Sequence, residues 1–228
     1  MVGMFDSIAP RYDLLNRLLS FRRDIAWRRR LAKLVAQHRC HRVLDLATGT
    51  GDVLLALAKK RAAQMAVGID LAPKMLTLAQ KKLAKNRAPQ TFSAVQANAG
   101  VTSFRHDSFD AATIAFGIRN IPDVPETLRE IHRVLKPGGR LFVLEFSLPT
   151  NPLVRALYLA YFRYAVPAIG GWIGQNRAAY AYLNRSVEKF PYGQDFCSLL
   201  AASGFVNSSF ESLTYGVAAI YQGVKSSG

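Results

Sequence analysis

A glycine turn directly follows a short apolar stretch early in the sequence. The stretch ends at Leu46, and the residues Ala47-Thr48-Gly49-Thr50-Gly51 lead from it into a helix-like run. Glycine lets a backbone approach a ligand where a side chain would collide. A dinucleotide-binding turn would read G-x-G-x-x-G, whereas this turn has Ala47 at the first glycine position and no glycine at the last. The pattern therefore favours a ligand other than a dinucleotide.

Acidic and amide side chains stand where they could contact such a ligand. Asp45 precedes the turn, and a carboxylate there suits a ligand with a cationic end, such as the sulfonium and amino group of S-adenosylmethionine. Asp70 lies 19 residues beyond Gly51, about where an acid binds ribose hydroxyls in such folds. Asn98 and Ala99 follow a third apolar stretch and could meet the adenine edge. Together these positions predict an S-adenosylmethionine site.

Alternating strand-like and helix-like segments must position these residues. The predicted strands are Arg42–Leu46, Met65–Ile69, Thr91–Gln96, Phe109–Phe116, Arg140–Phe146, Phe205–Leu213 and Val217–Val224. The predicted helices between or beside them are Asp52–Arg61, Pro73–Lys85, Val124–Leu135 and Gln194–Ser203. Strands separated by helices imply a parallel sheet, and the last two strands read as an antiparallel hairpin. We expect a Rossmann-like α/β fold with a mostly parallel, seven-stranded sheet.

We expect all 228 residues to form a single domain with additions around a central core. Residues 1–40 are predicted to form a basic helical segment that acts as a lid, and residues 41–148 the cofactor-binding core. Residues 150–190 read as an aromatic, helical insert over the substrate, and residues 191–228 as the terminal helix and hairpin.

Composition and charge indicate where the protein works. The formal net charge is +15, which favours a polyanionic partner, either nucleic acid or an anionic membrane surface. Two distant cysteines, Cys40 and Cys197, offer no disulfide framework and indicate a reducing compartment. No secretory signal and no apolar run of membrane-spanning length is expected. His38, Cys40 and His41 are too close together on one segment to share an ion, so no metal site is expected.

The chain resembles the ubiquinone/menaquinone-biosynthesis C-methyltransferases, which are class I S-adenosylmethionine-dependent enzymes. The similarity spans nearly the whole chain, from FDSIAPRYDLLNRLLSFRRDIAWRR and VLDLATGTGD to FDAATIAFGIRNIPDVPETLREIHRVLKPGGRLFVLEFSLP. The opening segment and the residues from Phe116 to Asn120 are much more particular to this family than the glycine turn is. The resemblance implies methyl transfer to a ring carbon of a reduced polyprenyl quinone. Demethylmenaquinol is the preferred acceptor by family analogy, as in demethylmenaquinone methyltransferases, and the ubiquinone precursor is the alternative.

The resemblance also assigns roles to individual residues. It implies that Thr50, Asp70, Asn98 and Ala99 hold the cofactor, together with the turn residues Asp45, Thr48, Gly49 and Gly51. The expected catalytic residues are Arg119 and Asn120, just past the fourth strand, and Tyr12 of the opening segment. Arginine stays protonated, so Arg119 would stabilise a phenolate or act through a water rather than serve as a base. Tyr12 and Asp13 could close over the site, and Glu145 could add a second polar group to the pocket.

Two other functions compete with this hypothesis. An RNA or protein methyltransferase using the same cofactor would suit the high charge and the Arg28-Arg29-Arg30 run. No Asn-Pro-Pro-aromatic motif and no Pro-Cys nucleophile supports RNA, however, so nucleic acid is not the expected partner. A non-enzymatic scaffold that assists other quinone enzymes is the third alternative. The expected partners are a polyprenyl hydroquinone and an anionic membrane surface, and we also expect a homodimer or complexes with quinone-biosynthesis proteins.

The insert supports the membrane hypothesis. Leu153–Ile173 is apolar and aromatic, with only Arg155 and Arg163 as charges, and Pro167 and Gly170-Gly171 interrupt it. Such a segment suits the lipid–water interface rather than a transmembrane span. The expected interfacial side chains are Leu157, Tyr158, Tyr161, Phe162 and Trp172. The expected location is the cytoplasm, in peripheral association with the inner membrane face.

Overall fold

The computed structural model describes residues 2–166 and 186–227. Seven strands within these residues form one sheet: β1 (Cys40–Leu46), β2 (Ala63–Asp70), β3 (Phe92–Gln96), β4 (Phe109–Ala115), β5 (Leu135–Phe146), β6 (Phe205–Leu213) and β7 (Ala218–Lys225). Their order is β3-β2-β1-β4-β5-β7-β6. The strands β1 to β5 pair in parallel, whereas β7 is antiparallel to both β5 and β6. The predicted Rossmann-like α/β fold with a terminal hairpin is confirmed.

Seven α-helices of the described residues surround the sheet. They are α1 (Val2–Leu19), α2 (Arg23–Ala36), α3 (Asp52–Lys60), α4 (Pro73–Lys85), α5 (Val124–Val134), α6 (Pro152–Ala160) and α7 (Gln194–Ala202). The chain continues from α6 into a π-helical turn, Tyr161–Ala165, and residues 186–189 form a short helical turn. No helix in the described ranges is long and apolar enough to cross a bilayer.

The core lies on both faces of the sheet. One apolar cluster joins the strands to α2, α3 and α4, and the other joins them to α5 and α7. Leu44 and Ile114, on the central strands β1 and β4, are fully buried. Burial on both faces is typical of a parallel sheet, since its crossover helices cover both sides. It explains why these strands read as continuous apolar runs in the sequence.

The start of β5 differs from the sequence prediction. The helix was expected to run to Leu135 and a turn to occupy Pro137–Gly139, but α5 ends at Val134 and β5 begins directly at Leu135. Leu135 pairs with Phe109 ahead of a register shift, and the Lys136 ammonium binds Asp110 at 2.6 Å. These pairings with β4 were not visible in the sequence because they depend on long-range register.

The N-terminal helices and α6 pack around one end of the core. Ala9 of α1 packs against Ala72 and Met75, at the start of α4. Further along α1, Leu15 packs against Phe162 of the π-helical turn. Phe162 is thus a core residue, contrary to its predicted place at a membrane interface. The predicted breaks at Pro167 and Gly170-Gly171, and Trp172, lie outside the described residues.

Candidate active site

A cavity of about 210 Å³ lies beyond the carboxyl ends of the parallel strands. The turns after β1, β2, β3 and β4 form its walls, and Tyr12 of α1 and Met75 of α4 complete them. The strand order reverses between β1 and β4, and ligands of open α/β sheets bind in the crevice at such a switch point. The topology therefore marks this cavity as the cofactor site.

The cavity brings together many of the predicted site residues. Those that line it are Tyr12, Gly49, Asp70, Asn98, Ala99 and Asn120. The remaining predicted residues are not among its walls: Asp45, Thr48, Thr50, Gly51 and Arg119. They lie behind the walls, where they hold the glycine turn or the chain after β4 in place, as described below.

Asp70 joins the end of β2 to the glycine turn. Its Oδ2 atom accepts a hydrogen bond from the Gly49 amide at 2.8 Å, and its Oδ1 atom accepts one from the Ala72 amide at 2.9 Å. Burial raises the pKa of Asp70 above its ordinary value, and the hydrogen bonds from Ala72 and Gly49 oppose this shift. Each carboxylate oxygen retains further acceptor capacity. Asp70 can therefore shape the turn and still accept hydrogen bonds from two ribose hydroxyls.

The two glycines of the turn have different structural roles. Both have positive φ, +54° at Gly49 and +79° at Gly51. A Cβ atom at Gly49 would meet no other atom within 4 Å, whereas one at Gly51 would lie 3.0 Å from the Ala79 Cβ. Gly49 thus leaves space open at the cavity wall for a ligand, and Gly51 allows α3 to pack closely on α4.

Asp45 is fully buried beneath the glycine turn. One carboxylate oxygen accepts a hydrogen bond from the Thr48 hydroxyl at 2.6 Å, and the other accepts one from Thr113 at 2.7 Å. Burial raises the pKa of Asp45 to about 7, although both hydroxyl donors oppose the shift. The sequence predicted that Asp45 and Thr48 contact the cofactor directly. In the structure they do not line the cavity and instead support the glycine turn from below.

Thr50 connects the glycine turn to α1. Its hydroxyl donates to Asp13 at 2.6 Å and accepts from the Lys82 ammonium at 2.9 Å. Lys82 also binds Asp13 at 2.6 Å and Asp52 at 2.7 Å, and Arg17 binds Asp52 at 2.9 Å. These five residues form a polar clasp between α1, the glycine turn and α4. Asp13 was predicted to close over the site, and the structure places it in this clasp.

Arg119 and Asn120 occupy a 3₁₀ turn, Ile118–Asn120, just after β4. Asn120 lines the cofactor cavity. The Arg119 guanidinium points to the end of β5, where Nη1 binds Glu145 Oε1 at 2.7 Å, and it donates to the Phe116 carbonyl at 2.8 Å. Phe116 has a φ of +57°, which ends β4 and turns the chain into the cavity wall.

An aromatic cluster adjoins this ion pair. The Phe116 and Phe146 rings lie 4.6 Å apart, and Trp27 packs 5.9 Å from Phe116. Arg119 lies 5.3 Å from the Phe146 ring centre, and Arg28 lies 5.2 Å from that of Phe116. Flat apolar surfaces bordered by two cations suit an aromatic acceptor that develops negative charge.

Several residues of the site were not predicted from the sequence. Apolar walls come from Ile69, Leu71, Met75, Ala97, Ile121 and Pro122. The clasp residues Lys82 and Asp52, and the partner role of Tyr158 described below, were also missed. Most of these wall residues lie close in sequence to a predicted polar residue. That position could have identified them, because the neighbours of a ligand-contacting residue often line the same pocket.

These features fit S-adenosylmethionine. The cavity offers a ribose acceptor in Asp70, open space over Gly49, and apolar surfaces near Asn98 and Ala99 for a base. The buried Asp45 carboxyl lies beneath the turn, where a nearby cationic ligand would favour its ionised form. S-adenosylmethionine carries no phosphate, so its site needs no phosphate-binding element.

Comparisons with known proteins show which family the chain belongs to. Residues 1–225 match the model of the ubiE/COQ5 methyltransferase family. Demethylmenaquinone methyltransferase from Thermus thermophilus is 47% identical over 96% of this chain and 99% of its own length. Ubiquinone/menaquinone biosynthesis C-methyltransferase UbiE from Syntrophotalea carbinolica is also 47% identical, over 98% of this chain and 93% of its own.

Solved structures agree at the level of the fold. An O-methyltransferase family protein from Burkholderia thailandensis superposes with a TM-score of 0.70 at 15% identity, over 96% of this chain and 60% of that one. Sequence and fold thus lead to one assignment. The chain belongs to the ubiE/COQ5 methyltransferase family and is an S-adenosylmethionine-dependent methyltransferase.

Proposed function

We propose that the enzyme methylates a ring carbon of a reduced polyprenyl quinone, converting demethylmenaquinol to menaquinol. The full-length similarity to an enzyme named demethylmenaquinone methyltransferase is the observation that carries this assignment. The aromatic cluster of Trp27, Phe116 and Phe146 supports it, because it lies next to the cofactor cavity and suits a flat ring. Among the residues that the structure describes, no feature of the site favours RNA or a protein as the acceptor.

The residues around the cavity would hold the cofactor, which supplies an electrophilic methyl group when bound. We assign the ribose hydroxyls to Asp70 and the base to the segment of Asn98 and Ala99. Gly49 leaves room for the amino-acid end. A cationic ligand at this end would favour the ionised form of Asp45 beneath the turn. Thr48, Thr50 and Gly51 keep that turn in its bound shape. Their contribution is alignment, which can supply much of the rate enhancement when two reactants must meet.

Arg119 and Asn120 would act on the acceptor. A ring hydroxyl that loses its proton pushes electron density to the ring carbon, so a fixed positive charge near its oxygen lowers the barrier. Arg119 is held by Glu145 and the Phe116 carbonyl, so its position is set before substrate arrives. Asn120 lies in the cavity wall between this cation and the cofactor. Tyr12 closes the same cavity from α1 and would keep water out.

We infer that α1 and α2 serve as the lid of this site and that the core, insert and terminal hairpin act with it as one catalytic unit. Tyr12 in the cavity wall and the clasp around Lys82 support this role. The lid would have to open for the cofactor to leave.

We further propose that the enzyme works at an anionic membrane surface on the cytoplasmic side, where a polyprenyl quinol resides. Two neighbouring segments carry exposed apolar side chains, which we call the apolar face: Leu14, Leu18, Phe21, Leu153, Leu157 and Tyr164. Phe21 is 73% exposed, and its ring lies 5.7 Å from that of Tyr161, whose hydroxyl donates to the Leu19 carbonyl. These contacts join α1 and the α6 segment side by side.

Charge and position support this membrane orientation. Arg22, Arg23 and Arg155 are exposed on the same two segments. The net charge of +15 adds a general attraction to anionic lipid. The two segments also carry Tyr12 and Tyr158, so the apolar face lies over the acceptor side of the site. A homodimer, or a complex with other quinone-biosynthesis proteins, would have to leave this face free for lipid.

Product analysis tests the function. The purified enzyme should methylate demethylmenaquinol in anionic vesicles, with menaquinol identified by mass spectrometry, and should leave total RNA unmethylated. Arg119→Ala should lower turnover about 100-fold or more while the cofactor dissociation constant changes little, since its charge matters chiefly in the transition state. Methylation of RNA with no quinol product would refute the proposal.

A further inference from the structure

Four buried polar atoms beside the aromatic cluster have no hydrogen-bond partner in the described structure. They are Glu145 Oε2, Arg119 Nε, Asn120 Oδ1 and the Tyr158 hydroxyl. Most buried polar groups in proteins are hydrogen-bonded, and one that is not costs stability. Four such atoms in one place indicate that something else occupies this position during function.

The four atoms come from three elements that meet at one point. Glu145 is the last residue but one of β5, and its side chain is only 1% exposed. Its Oε1 atom binds Arg119 Nη1 at 2.7 Å and the Phe146 amide at 2.8 Å. The charges of Arg119 and Glu145 both act on the pKa of Tyr158, which burial raises, so the Tyr158 phenol lies near both. Asn120 also lines the cofactor cavity, so the cluster adjoins that cavity.

The unpartnered atoms complement a ring hydroxyl. Glu145 Oε2 and Asn120 Oδ1 can only accept a hydrogen bond, Arg119 Nε can only donate one, and the tyrosine hydroxyl can do both. A phenolic hydroxyl needs an acceptor for its hydrogen and a donor for its oxygen. The Phe146 and Phe116 rings adjoin the same atoms and offer surfaces for the ring that carries the hydroxyl.

We propose that Glu145 and Tyr158 form the subsite for a ring hydroxyl of the acceptor, and that Glu145 takes the proton of that hydroxyl. The inference rests on the proposed function. In this step the O–H bond breaks, its electron pair stays on the substrate oxygen, and the proton forms a bond to Glu145 Oε2. The phenolate so formed is stabilised by Arg119, and its ring carbon becomes the stronger nucleophile.

The surroundings of Glu145 suit a proton acceptor. Burial raises the pKa of Glu145 above its ordinary value, and the Arg119 charge opposes this shift. A general base works best when its pKa lies near the operating pH. The charged or titratable groups that face it are Arg119 from the 3₁₀ turn, Tyr158 from α6 and Tyr221 from β7.

Helix α6 gives the substrate access to this cluster. Tyr158 of α6 lies near the Arg119–Glu145 pair, yet no residue of α6 is fully buried. A segment with few buried contacts opens at a low free-energy cost. If α6 moves away, the acceptor ring can reach Glu145. When α6 returns, the Tyr158 hydroxyl would contact the bound acceptor.

Glu145→Gln tests the proton transfer. It keeps an acceptor for Arg119 but removes the base. With a short-chain 1,4-naphthohydroquinone at pH 7, we expect kcat to fall about 100-fold or more, the usual contribution of a general base. Near pH 9.5 the hydroquinone, a phenol with a pKa near 10, starts to ionise unaided, and the loss should shrink below about tenfold. A loss that is the same at both pH values, or below about threefold at pH 7, overturns the proposal.

Two binding measurements complete the test. With S-adenosylhomocysteine present, 2-methyl-1,4-naphthohydroquinone should bind Glu145→Gln and Tyr158→Phe about fivefold more weakly than the parent enzyme. Its dimethyl ether, which lacks both hydroxyls, should bind all three proteins equally. Equal losses for diol and ether would mean that the cluster holds only a water, and would overturn the proposal.

Glu211→Gln is the matched control, because it removes the carboxylate partner of another arginine, Arg30, and neither residue lines the cofactor cavity. It should leave turnover and binding unchanged. If the parent enzyme methylates no quinol at all, the proposed function fails. The difference in affinity between the hydroquinone and its dimethyl ether would still test the subsite.

Discussion

Asp70 is the residue on which the cofactor site depends most. It holds the Gly49 amide and faces the cavity, so turn geometry and ligand binding share one carboxylate. We expect Asp70→Ala to weaken S-adenosylmethionine binding at least about tenfold, since a hydrogen bond to a charged group contributes about 1.5–3 kcal/mol. Calorimetric titration measures the affinity.

The control for Asp70 is a carboxylate with the same kind of contacts at the opposite end of the sheet. Asp110 accepts hydrogen bonds from the His41 and Arg42 amides. Asp110→Ala should lower stability and leave cofactor affinity unchanged. Unchanged affinity in a folded Asp70→Ala protein would remove Asp70 from the site.

Asp45 should make stability depend on pH. Burial raises its folded-state pKa to about 7, whereas an unfolded aspartate has one near 3.8. Between these values the folded protein holds a proton that the unfolded chain has released, so the free energy of unfolding falls as pH rises. From pH 5 to 8 this contribution is on the order of 3 kcal/mol.

Asp45→Asn isolates this effect, because an amide can still bond to the Thr48 and Thr113 hydroxyls but does not titrate. Urea unfolding at both pH values should show that the variant loses less stability than the parent protein. Equal losses in the two proteins would show that Asp45 has an ordinary pKa in the folded state.

At the scale of elements, the clasp makes α1 part of the cofactor site. Lys82 of α4 binds Asp13 of α1 together with Thr50 and Asp52 at the glycine turn. The Lys82 and Asp52 side chains are only 19% and 14% exposed, so water screens this network less than an ordinary surface pair.

Lys82→Met should loosen α1 over the bound cofactor. It leaves Asp13 and Asp52 without their shared cation, and the two carboxylates then repel each other. We expect the cofactor to dissociate about tenfold faster, as a loss of about 1.4 kcal/mol would produce. Stopped-flow displacement measures this rate. Lys81→Met, at an exposed position on the same helix, should change nothing. Equal rates in the two variants would separate the clasp from cofactor release.

At the scale of the whole molecule, charge and the apolar face should act together on a membrane. A basic protein is drawn to anionic lipid, and salt screens that attraction. Exposed leucine and aromatic side chains then add burial energy that salt does not remove. Binding to anionic vesicles should therefore be strong at low salt and fall, without vanishing, as salt rises.

The double variant Phe21→Ser/Leu157→Ser tests the apolar face. In vesicle cosedimentation we expect at least about tenfold weaker binding, since each side chain contributes roughly 1.5–3 kcal/mol when fully buried. Val206→Ser removes an exposed apolar side chain on β6 and should bind as the parent protein does. If the parent protein remains in the supernatant with anionic vesicles at low salt, the membrane proposal fails.

The fold and the place of the candidate cofactor site could be predicted from the residue pattern. Strand and helix periods, the glycine turn and Asp70 are local signals, and the carboxyl ends of parallel strands must meet in one crevice. Gly49, Asp70 and Asn98 were found in this way, and Asn120 was found through the family resemblance. All four line one cavity.

The tertiary structure alone decided which side chains become partners. The five contacts of the clasp join residues that are far apart in sequence. The Lys82–Asp13 pair, for example, spans 69 positions. Glu145 of β5 and Tyr158 of α6 come near each other only in the folded chain, and Phe162 is buried because Leu15 of α1 packs against it. Periodicity shows which face of an element is apolar, but it does not show which element covers that face, since packing depends on the whole chain.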